Sequence, residues 1–366
     1  MIRYFEDKVE EINSMLSDLP KNGVCIWGVG EHSVNLLRYT NIYKKIAFFI
    51  DKRGGESFFG YEVKKPETVE FSKIDYIVIS SYQYQNDILK EIEDLKFHGK
   101  VITLYTEKDE GDFYFLPKKG CQDFFFEGDY SSWEEAEKSS IGYDNEDILK
   151  KVFEATEKVV CGEAAFERDS VLFYEPEYNY KIVTLFALIA NKKSKVNVLD
   201  FGGALASEFW KNKYLLDKFN VDYSWNVVEQ QNYVQLANER KFDTRLRFFE
   251  QIEEIEDSVD IVLLSSVLQY LPNYQEILKK LLKLGAEYIL VDRQCVSEKS
   301  RICVQHVGEN IYKASYPLQI PGEEELVSQF NDKYNLVSVF KSDVDAEKHY
   351  VDGKCFFYKG YLFERR

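Results

Sequence analysis

Apolar and polar positions alternate along the first third of the chain in blocks that predict strands separated by helices. Between the strand-like runs, apolar residues recur at the three-to-four-residue spacing of an amphipathic helix. The runs are Val24 to Trp27, Ile46 to Ile50, Tyr76 to Ser80 and Val101 to Tyr105. Strands that alternate with helices form βαβ units around a parallel sheet. We therefore expect residues 1–107 to form a small Rossmann-like domain.

A second series of the same kind follows a helical pattern over residues 146–191. Its strand-like runs are 196–201, 225–229, 260–264 and 288–291. Two later runs, 336–340 and 355–363, have no helical pattern between them, which predicts an antiparallel hairpin at one edge of the sheet. Residues 146–366 are thus expected to form a second Rossmann-like domain.

The stretch between the two series, residues 108–145, has no clean period but many aromatic side chains. A free linker would not carry so many aromatics, so we expect an ordered connector wrapped on the second domain. A chain of 366 residues also exceeds the size at which one hydrophobic core stops growing. The expected fold class is therefore α/β, with two Rossmann-like domains.

The charge balance narrows the classes of partner. Lysine and arginine number 47 against 63 acids, a net charge of −16, and such a surface repels phosphate backbones and anionic lipid. We expect neither a nucleic-acid partner nor membrane insertion. The six cysteines form no CxxC pair, so neither a zinc site nor a disulfide framework is predicted. A charged N-terminus and the lack of a long apolar run favour a cytoplasmic protein.

The strongest chemical motif follows the first strand of the second series. There a strand ends in Asp200 and leads through Gly202, Gly203 and Ala204 into a helix. A small-residue turn between strand and helix lets a Rossmann sheet bring its backbone close to a ligand, since a Cβ would hold the ligand away. We expect this turn to bind a cofactor.

Polar residues at the ends of two further strands belong to the same predicted site. Glu229, followed by Gln230, ends the next strand, where a ribose diol is normally bound. Ser265 and Ser266 follow the buried run 260–264 at the carboxyl edge, where open α/β sheets bind their ligands. A Rossmann domain without a ligand remains the alternative interpretation.

Residues from about 128 to the C-terminus resemble a family of S-adenosyl-L-methionine (SAM)-dependent methyltransferases that often occur in bacterial surface-polysaccharide gene clusters. The resemblance implies that residues 146–366 form a class I SAM-methyltransferase-type sheet, that SAM is the cofactor, and that the methyl acceptor is sugar-like. The chain departs from the general methyltransferase pattern in one respect, because Ala204 and Ala206 replace its second and third glycines. This change disfavours tight SAM binding. The matching segments are 128–133, 163–170, 199–205, 225–230, 265–270, 292–293, 304–305 and 315–317.

The acceptor side of the site is expected from residues after the fourth strand of the second series. Arg293 can bind a carboxylate or phosphate through two hydrogen bonds, or pair with a neighbouring acid such as Asp292. His306 is a candidate general base for an oxygen acceptor, or a structural histidine. Gln305 and Tyr316 complete the predicted substrate contacts, although Tyr316 precedes a proline and also suits a turn.

A weaker motif in the first domain repeats the dinucleotide pattern. Gly28 and Gly30 follow its first strand, His32 lies just beyond them, and Asp51 closes the second strand. The third glycine of the full fingerprint is missing. The segment resembles small Rossmann-like domains attached to sugar-modifying enzymes of bacterial glycan pathways, some of which hold a nucleotide-sugar. A second nucleotide site and a purely structural or oligomerising role both remain open.

The function expected from the sequence is SAM-dependent methyl transfer to a sugar, nucleotide-sugar or related polar small molecule, without a metal. O- and N-methylation are both compatible with the motifs, and a homo-oligomer is left open. One alternative is a non-catalytic nucleotide- or glycan-binding module with a degenerate SAM site. Another is a nicotinamide-dependent sugar oxidoreductase, although no Tyr–Lys catalytic pair is evident.

Overall fold

The computed structural model describes residues 8–55, 57–105, 124–142, 145–307, 314–342, 348–352 and 354–366. Its contacts divide the chain into two compact units. The first consists of residues 1–142, 301–318 and 348–356, and the second of residues 143–300, 319–347 and 357–366.

This division differs from the boundaries expected from the sequence. Residues 124–142, the described part of the predicted connector, group with the first unit and not with the second. Two C-terminal segments, 301–318 and 348–356, also belong to the first unit. These C-terminal segments join the first unit through pairing with strands that are distant in sequence. A local pattern of apolar residues does not predict such pairing.

Up to residue 142 the chain forms short helices and strands. The helices are α1 (Val9–Leu16), α2 (Glu31–Tyr39), α3 (Gln85–Asp94) and α4 (Trp133–Lys138). The strands are β1 (Val24–Trp27), β2 (Ile46–Ile50), β3 (Ser57–Phe58), β4 (Tyr61–Lys64), β5 (Tyr76–Ile79), β6 (Lys100–Thr103) and β7 (Phe124–Tyr130). Among these described residues, the sheet runs in the order β3-β4-β2-β1-β5-β6, with β1 parallel to β2 and β5. This confirms the α/β class of the first domain.

Residues 145–296 contain the long helices and the parallel strands of the second unit. The helices are α5 (Asn145–Val160), α6 (Tyr180–Ala190), α7 (Ser207–Leu216), α8 (Gln231–Arg240) and α9 (Tyr274–Lys283). The strands are β8 (Phe166–Arg168), β9 (Val171–Phe173), β10 (Lys195–Phe201), β11 (Asp222–Val228), β12 (Leu246–Phe249), β13 (Ile261–Ser265) and β14 (Tyr288–Val296). The β8–β9 hairpin interrupts a stretch for which the sequence predicted only helix.

The C-terminal elements contribute to both units. They are β15 (Arg301–Val307), β16 (Ala314–Ile320), α10 (Glu323–Ser328), β17 (Tyr334–Lys341), β18 (Lys348–Val351) and β19 (Lys354–Arg365). In the first unit, β7 pairs with β15 and with β18. In the second unit, β17 and β19 pair antiparallel, as the sequence predicted.

The described strands of the second unit run in the order β12-β11-β10-β13-β14-β19, with β17 beside β19. Strands β10 to β14 are parallel to one another and β19 is antiparallel to β14. This is a Rossmann-like sheet of the class I methyltransferase type, which confirms the predicted fold class. The chain order reverses between β10 and β13, the place where such sheets bind ligands.

Apolar side chains cover both faces of this sheet. One core contains Phe186, Phe209 and Trp225, and the other contains Leu264, Tyr274 and Phe363. Strand β10 accordingly reads as a nearly continuous buried run, typical of a parallel strand with helices on both sides. Two buried polar side chains interrupt this run, Asn197 in its first half and Asp200 near its carboxyl end, where the ligand site is expected.

Candidate functional site

Asp200 lies near the carboxyl end of β10 and is only 2% exposed. The indole Nε1 of Trp225 donates a hydrogen bond to its Oδ2 at 3.1 Å. Burial raises the pKa of Asp200 to about 7, and the carboxylates of Glu208 and Glu229 contribute to the shift. An acid that titrates near neutral pH at the end of a buried strand is a typical feature of a functional site.

The turn after β10 contains two glycines that its packing requires. Gly202 has a φ of +73°, and a Cβ there would lie 2.4 Å from Val267 Cγ2, in the loop after β13. At Gly203 a Cβ would lie 2.6 Å from the carboxyl group of Asp200. Contacts within the protein therefore account for both glycines without a ligand.

The two alanines of the turn have left-handed backbone conformations. Ala204 has a φ of +49° and Ala206 a φ of +69°. The side chain of Ala206 is fully buried in the core around Phe209, and Ala204 packs against the same core. The methyl group of Ala206 therefore lies in the protein interior, and that of Ala204 contacts the same core while remaining partly exposed.

Glu229 follows β11 and connects that strand end to the turn. Its carboxylate accepts hydrogen bonds from the backbone N–H of Gln230, at 3.2 Å, and of Ala204. Burial raises the pKa of this half-buried group despite those bonds. Gln230 precedes α8 and its side chain is exposed. The acid at the end of β11 therefore lies beside the turn, and its ribose-binding role stays a prediction.

The serines after β13 lie beside the end of β14. Ser265 is opposite Asp292 in the parallel register, and the N–H of Ser266 donates to the Asp292 carbonyl at 2.9 Å. Buried Gln269, which sequence analysis missed, donates from Nε2 to Ser266 Oγ at 3.0 Å and to the Arg293 carbonyl at 3.1 Å. This amide fixes the two strand ends relative to each other.

Arg293 lies in a bulge of β14, where the register with β19 shifts, and its φ is +53°. Strained backbone and bulges are both concentrated at functional sites. Its Nη2 lies 3.3 Å from Oδ2 of Asp169, in the turn between β8 and β9. The neighbouring Asp292 lies 3.5 Å from Lys181 Nζ. Arg293 does pair with an acid through its side chain, Asp169, and its backbone N–H donates to Oδ1 of Asp292 at 2.9 Å.

A polar group at the start of α7 was not predicted from the sequence. Glu208 accepts hydrogen bonds from Nδ2 of Asn212 at 3.1 Å and from Nδ2 of Asn179 at 3.4 Å. Beside it, buried Glu167 bonds to the hydroxyl of Ser207 and accepts from the N–H of Ser170 at 3.1 Å. In the sequence, only the position of Ser207 and Glu208 could have indicated this group, because they begin the helix that follows the turn after β10.

The remaining predicted acceptor residues lie in the first unit. Gln305 and His306 are on β15, opposite Phe126 and Phe125 of β7, and Tyr316 is on β16. The His306 ring stacks on Phe125, with centroids 4.2 Å apart, and its Nε2 lies 3.0 Å from Glu127 Oε1. The ring is thus held by stacking, because Nε2 is buried without a hydrogen bond among the described residues. Arg293 is grouped with the second unit.

In the first unit, only one of the two glycines after β1 lies at a position that requires glycine. Gly28 has a φ of +117°, and a Cβ there would lie 3.1 Å from Ser80 Oγ, so the neighbouring strand end demands glycine. At Gly30 the backbone is extended, and a Cβ would meet no atom within 4 Å. Packing therefore explains the first glycine, and the second faces open space at the start of α2.

The two polar residues predicted beside these glycines are both engaged within the unit. Asp51 accepts hydrogen bonds from the N–H of Val29 at 3.1 Å and from Nε of Arg53 at 2.9 Å. Burial opposes ionisation, but these bonds hold the pKa of Asp51 below its ordinary value. His32 bonds to the Tyr105 hydroxyl, and burial lowers its pKa to about 4. A neutral His32 adds no positive charge for a phosphate.

Within the described ranges, no group of three histidine, cysteine or acidic residues is arranged to hold a metal ion. None of the helices described combines the length and the hydropathy that a membrane crossing requires.

Comparison with known proteins identifies relatives of separate parts of the chain. Residues 21–103 match the family model described as C2185-like, N-terminal. No curated protein matches the sequence. One similar solved structure is the N-terminal domain of EvdMO1, in the presence of SAH and D-fucose, with 11% identity and a TM-score of 0.37. That alignment covers 62% of this chain and 98% of the other.

Two further solved structures are similar at the same level. SAM-bound CalS10, an amino pentose methyltransferase from Micromonospora echinaspora involved in calicheamicin biosynthesis, has 10% identity and a TM-score of 0.33. Its alignment covers 51% of this chain and 89% of that chain. The mitomycin 7-O-methyltransferase MmcR has 12% identity and a TM-score of 0.31, with 58% and 68% covered. These identities are too low to transfer an activity to this chain.

Proposed function

We propose that this protein is a SAM-dependent methyltransferase that acts on a sugar, a nucleotide-sugar or a related polar small molecule. One observation carries the proposal. The carboxylate of Glu229, after β11, accepts the N–H of Ala204 in the turn after β10, so the acid and the turn lie together at the edge where the strand order reverses. This is the place where Rossmann-like sheets bind a nucleoside.

The residues at this edge suit the charges of SAM. The cofactor carries a sulfonium and an ammonium group, and the edge supplies the carboxyl groups of Asp200 and Glu229, both with raised pKa values. A bound cation favours the ionised form of a nearby carboxyl group. Ala206 is buried in the core, and Ala204 packs partly against it. The two carboxyl groups and the turn after β10 are therefore compatible with bound SAM.

In this proposal each strand end has one task. Glu229 binds the ribose hydroxyls, and Asp200 neutralises the positive end of the cofactor. Ser265 and Ser266 line the side of the proposed site next to β13. When bound, SAM supplies an electrophilic methyl group. The protein's contribution is to hold the acceptor in line with that group, and proximity of this kind accounts for much of the rate of such reactions.

Calorimetric titration with SAH, SAM, NAD and UDP tests the proposal. We expect SAH and SAM to bind with one site per chain and NAD not to bind at that site. If neither SAH nor SAM binds to the folded protein, the proposed function is wrong. Binding of UDP without SAH would instead favour the alternative of a nucleotide-binding module.

A further inference from the structure

Glu208, in the first turn of α7, is held by two amide side chains. Nδ2 of Asn212 and Nδ2 of Asn179 both donate to Oε2, at 3.1 and 3.4 Å. Asn212 is fully buried, and its Oδ1 accepts the backbone N–H of Asn179 at 2.8 Å. One carboxylate oxygen is therefore fixed, while the other, Oε1, accepts no hydrogen bond among the described residues.

Glu208 lies at the carboxyl edge of the sheet, because α7 begins directly after the turn that follows β10. It interacts electrostatically with Asp200, near the end of β10, and with Asp292, which is opposite Ser265 at the end of β13. Burial raises the pKa of Glu208, Lys211 opposes that shift and Asp292 adds to it. A carboxylate that binds a proton more readily than an exposed glutamate is a better general base near neutral pH.

The surroundings of this group suit a hydroxyl-rich ligand. Oδ1 of Asn179 is buried and accepts no hydrogen bond among the described residues, so a donor is missing beside Glu208. Tyr178 and Tyr180 flank Asn179 in the sequence, and Tyr214 lies on α7. Tyr180 and Tyr214 are 68% and 61% exposed, and Tyr178 stacks on Tyr214 with centroids 6.3 Å apart. Exposed aromatic faces beside hydrogen-bonding amides provide both the apolar and the polar contacts that a sugar ring needs.

We propose that Glu208 is the catalytic base that deprotonates a sugar hydroxyl for methylation, with Asn179 and Asn212 as positioning residues. The inference rests on the proposed function, because it requires a sulfonium methyl donor at the neighbouring strand ends. It assigns O-methylation, which the sequence left undetermined, and a base other than His306.

The reaction step is balanced as follows. The acceptor hydroxyl gives its proton to Oε1 of Glu208 while its oxygen lone pair forms a bond to the methyl carbon. The carbon–sulfur bond breaks, and its electron pair stays on sulfur, which becomes the neutral thioether of SAH. Glu208 later releases the proton to water. One positive and one negative charge disappear together, which a partly desolvated site favours because it stabilises charges poorly.

Glu208→Gln removes the base and keeps the size of the side chain. Its matched control is Glu239→Gln, an exposed acid on α8. Methyl transfer from tritiated SAM is measured with UDP-glucose, UDP-galactose, GDP-mannose and dTDP-glucose as acceptors. We expect wild type and Glu239→Gln to label at least one of them. For Glu208→Gln we expect kcat to fall about 100-fold or more, with KM within about threefold.

Two measurements without turnover separate the possible failures. SAH affinity of Glu208→Gln is expected within about twofold of wild type. The Tm of Glu208→Gln should equal or exceed that of wild type. The difference in Tm should increase as pH rises from 5 to 8, because the raised pKa of Glu208 in the folded state means that its ionisation destabilises the wild-type protein. A wild-type protein that fails to bind SAH contradicts the proposed function itself.

Three results contradict the inference alone. The first is turnover of Glu208→Gln within about threefold of wild type. The second is a wild-type protein that binds SAH but labels none of the four acceptors. The third is a fall in the Tm of Glu208→Gln by more than about 5 °C at pH 7, which would show that the carboxylate supports the fold.

Discussion

Trp225 on β11 donates its indole N–H to Oδ2 of Asp200 on the adjacent strand β10, at 3.1 Å. Both side chains are almost completely buried, with exposures of 0% and 2%. The hydrogen bond favours the ionised carboxylate, but burial and the nearby Glu208 outweigh it and raise the pKa of Asp200 to about 7. The end of β10 thus carries an acid whose charge changes near neutral pH.

Asp200→Asn is expected to make the protein more stable relative to wild type as pH rises. In wild type the folded state retains a proton on Asp200 that the unfolded chain loses near pH 4, so wild-type stability falls as pH rises towards 7. Asparagine is neutral throughout and can still accept from Trp225. Since one pKa unit corresponds to about 1.4 kcal/mol, the Tm of Asp200→Asn relative to that of wild type should increase by about 4 °C or more between pH 5 and pH 8.

Thermal unfolding of both proteins at pH 5, 6, 7 and 8 checks this expectation. A difference in Tm that stays constant over the series would show that Asp200 does not titrate in this range.

Glu229→Gln is expected to weaken SAH binding about tenfold or more. A charged hydrogen bond to the ribose hydroxyls contributes about 1.5–3 kcal/mol, and glutamine keeps an oxygen that can accept the N–H of Ala204. Calorimetry measures the dissociation constant, with Glu239→Gln as the control on the helix that follows. Equal affinities for Glu229→Gln and wild type would remove Glu229 from the proposed ribose contact.

Gly202→Ala is expected to lower the Tm by about 4 °C or more. The left-handed backbone costs a non-glycine residue about 1–2 kcal/mol, and the new Cβ would lie 2.4 Å from Val267 Cγ2. A second substitution, Val267→Ala, should recover part of the loss by removing that clash. Gly30→Ala is the control, because its backbone is extended and a Cβ there meets no atom within 4 Å. If Gly202→Ala melts like wild type, the turn adopts another conformation.

Ala204→Gly and Ala206→Gly are each expected to leave SAH affinity within about twofold of wild type. The methyl group of Ala206 is buried in the core around Phe209 and Ala204 packs partly against the same core, so we expect neither to obstruct the cofactor. At Ala206 the relief of a left-handed φ offsets part of the lost burial. A tenfold gain in affinity in either variant would show that the alanines do obstruct the cofactor.

Much of the fold and part of the site could be predicted from local sequence alone. Strands β1 and β2 have the predicted bounds, 24–27 and 46–50, because a buried parallel strand requires an uninterrupted apolar run. The positions of Asp200 and Glu229 at strand ends follow from the same pattern, since each acid interrupts or ends such a run. Parallel strands then bring their carboxyl ends to one edge without further information.

Only the tertiary structure decided which side chains meet at that edge. Glu208 contacts Asn179, which is 29 positions away, and Arg293 pairs with Asp169, 124 positions away, across a hairpin that no periodic pattern predicted. The direction of the Ala206 methyl group likewise depends on the packing of Phe209 and its neighbours. Such contacts are set by how whole helices and strands pack, so the sequence determined the scaffold and the strand-end acids, while the packing determined the chemical partners of Glu208 and Arg293.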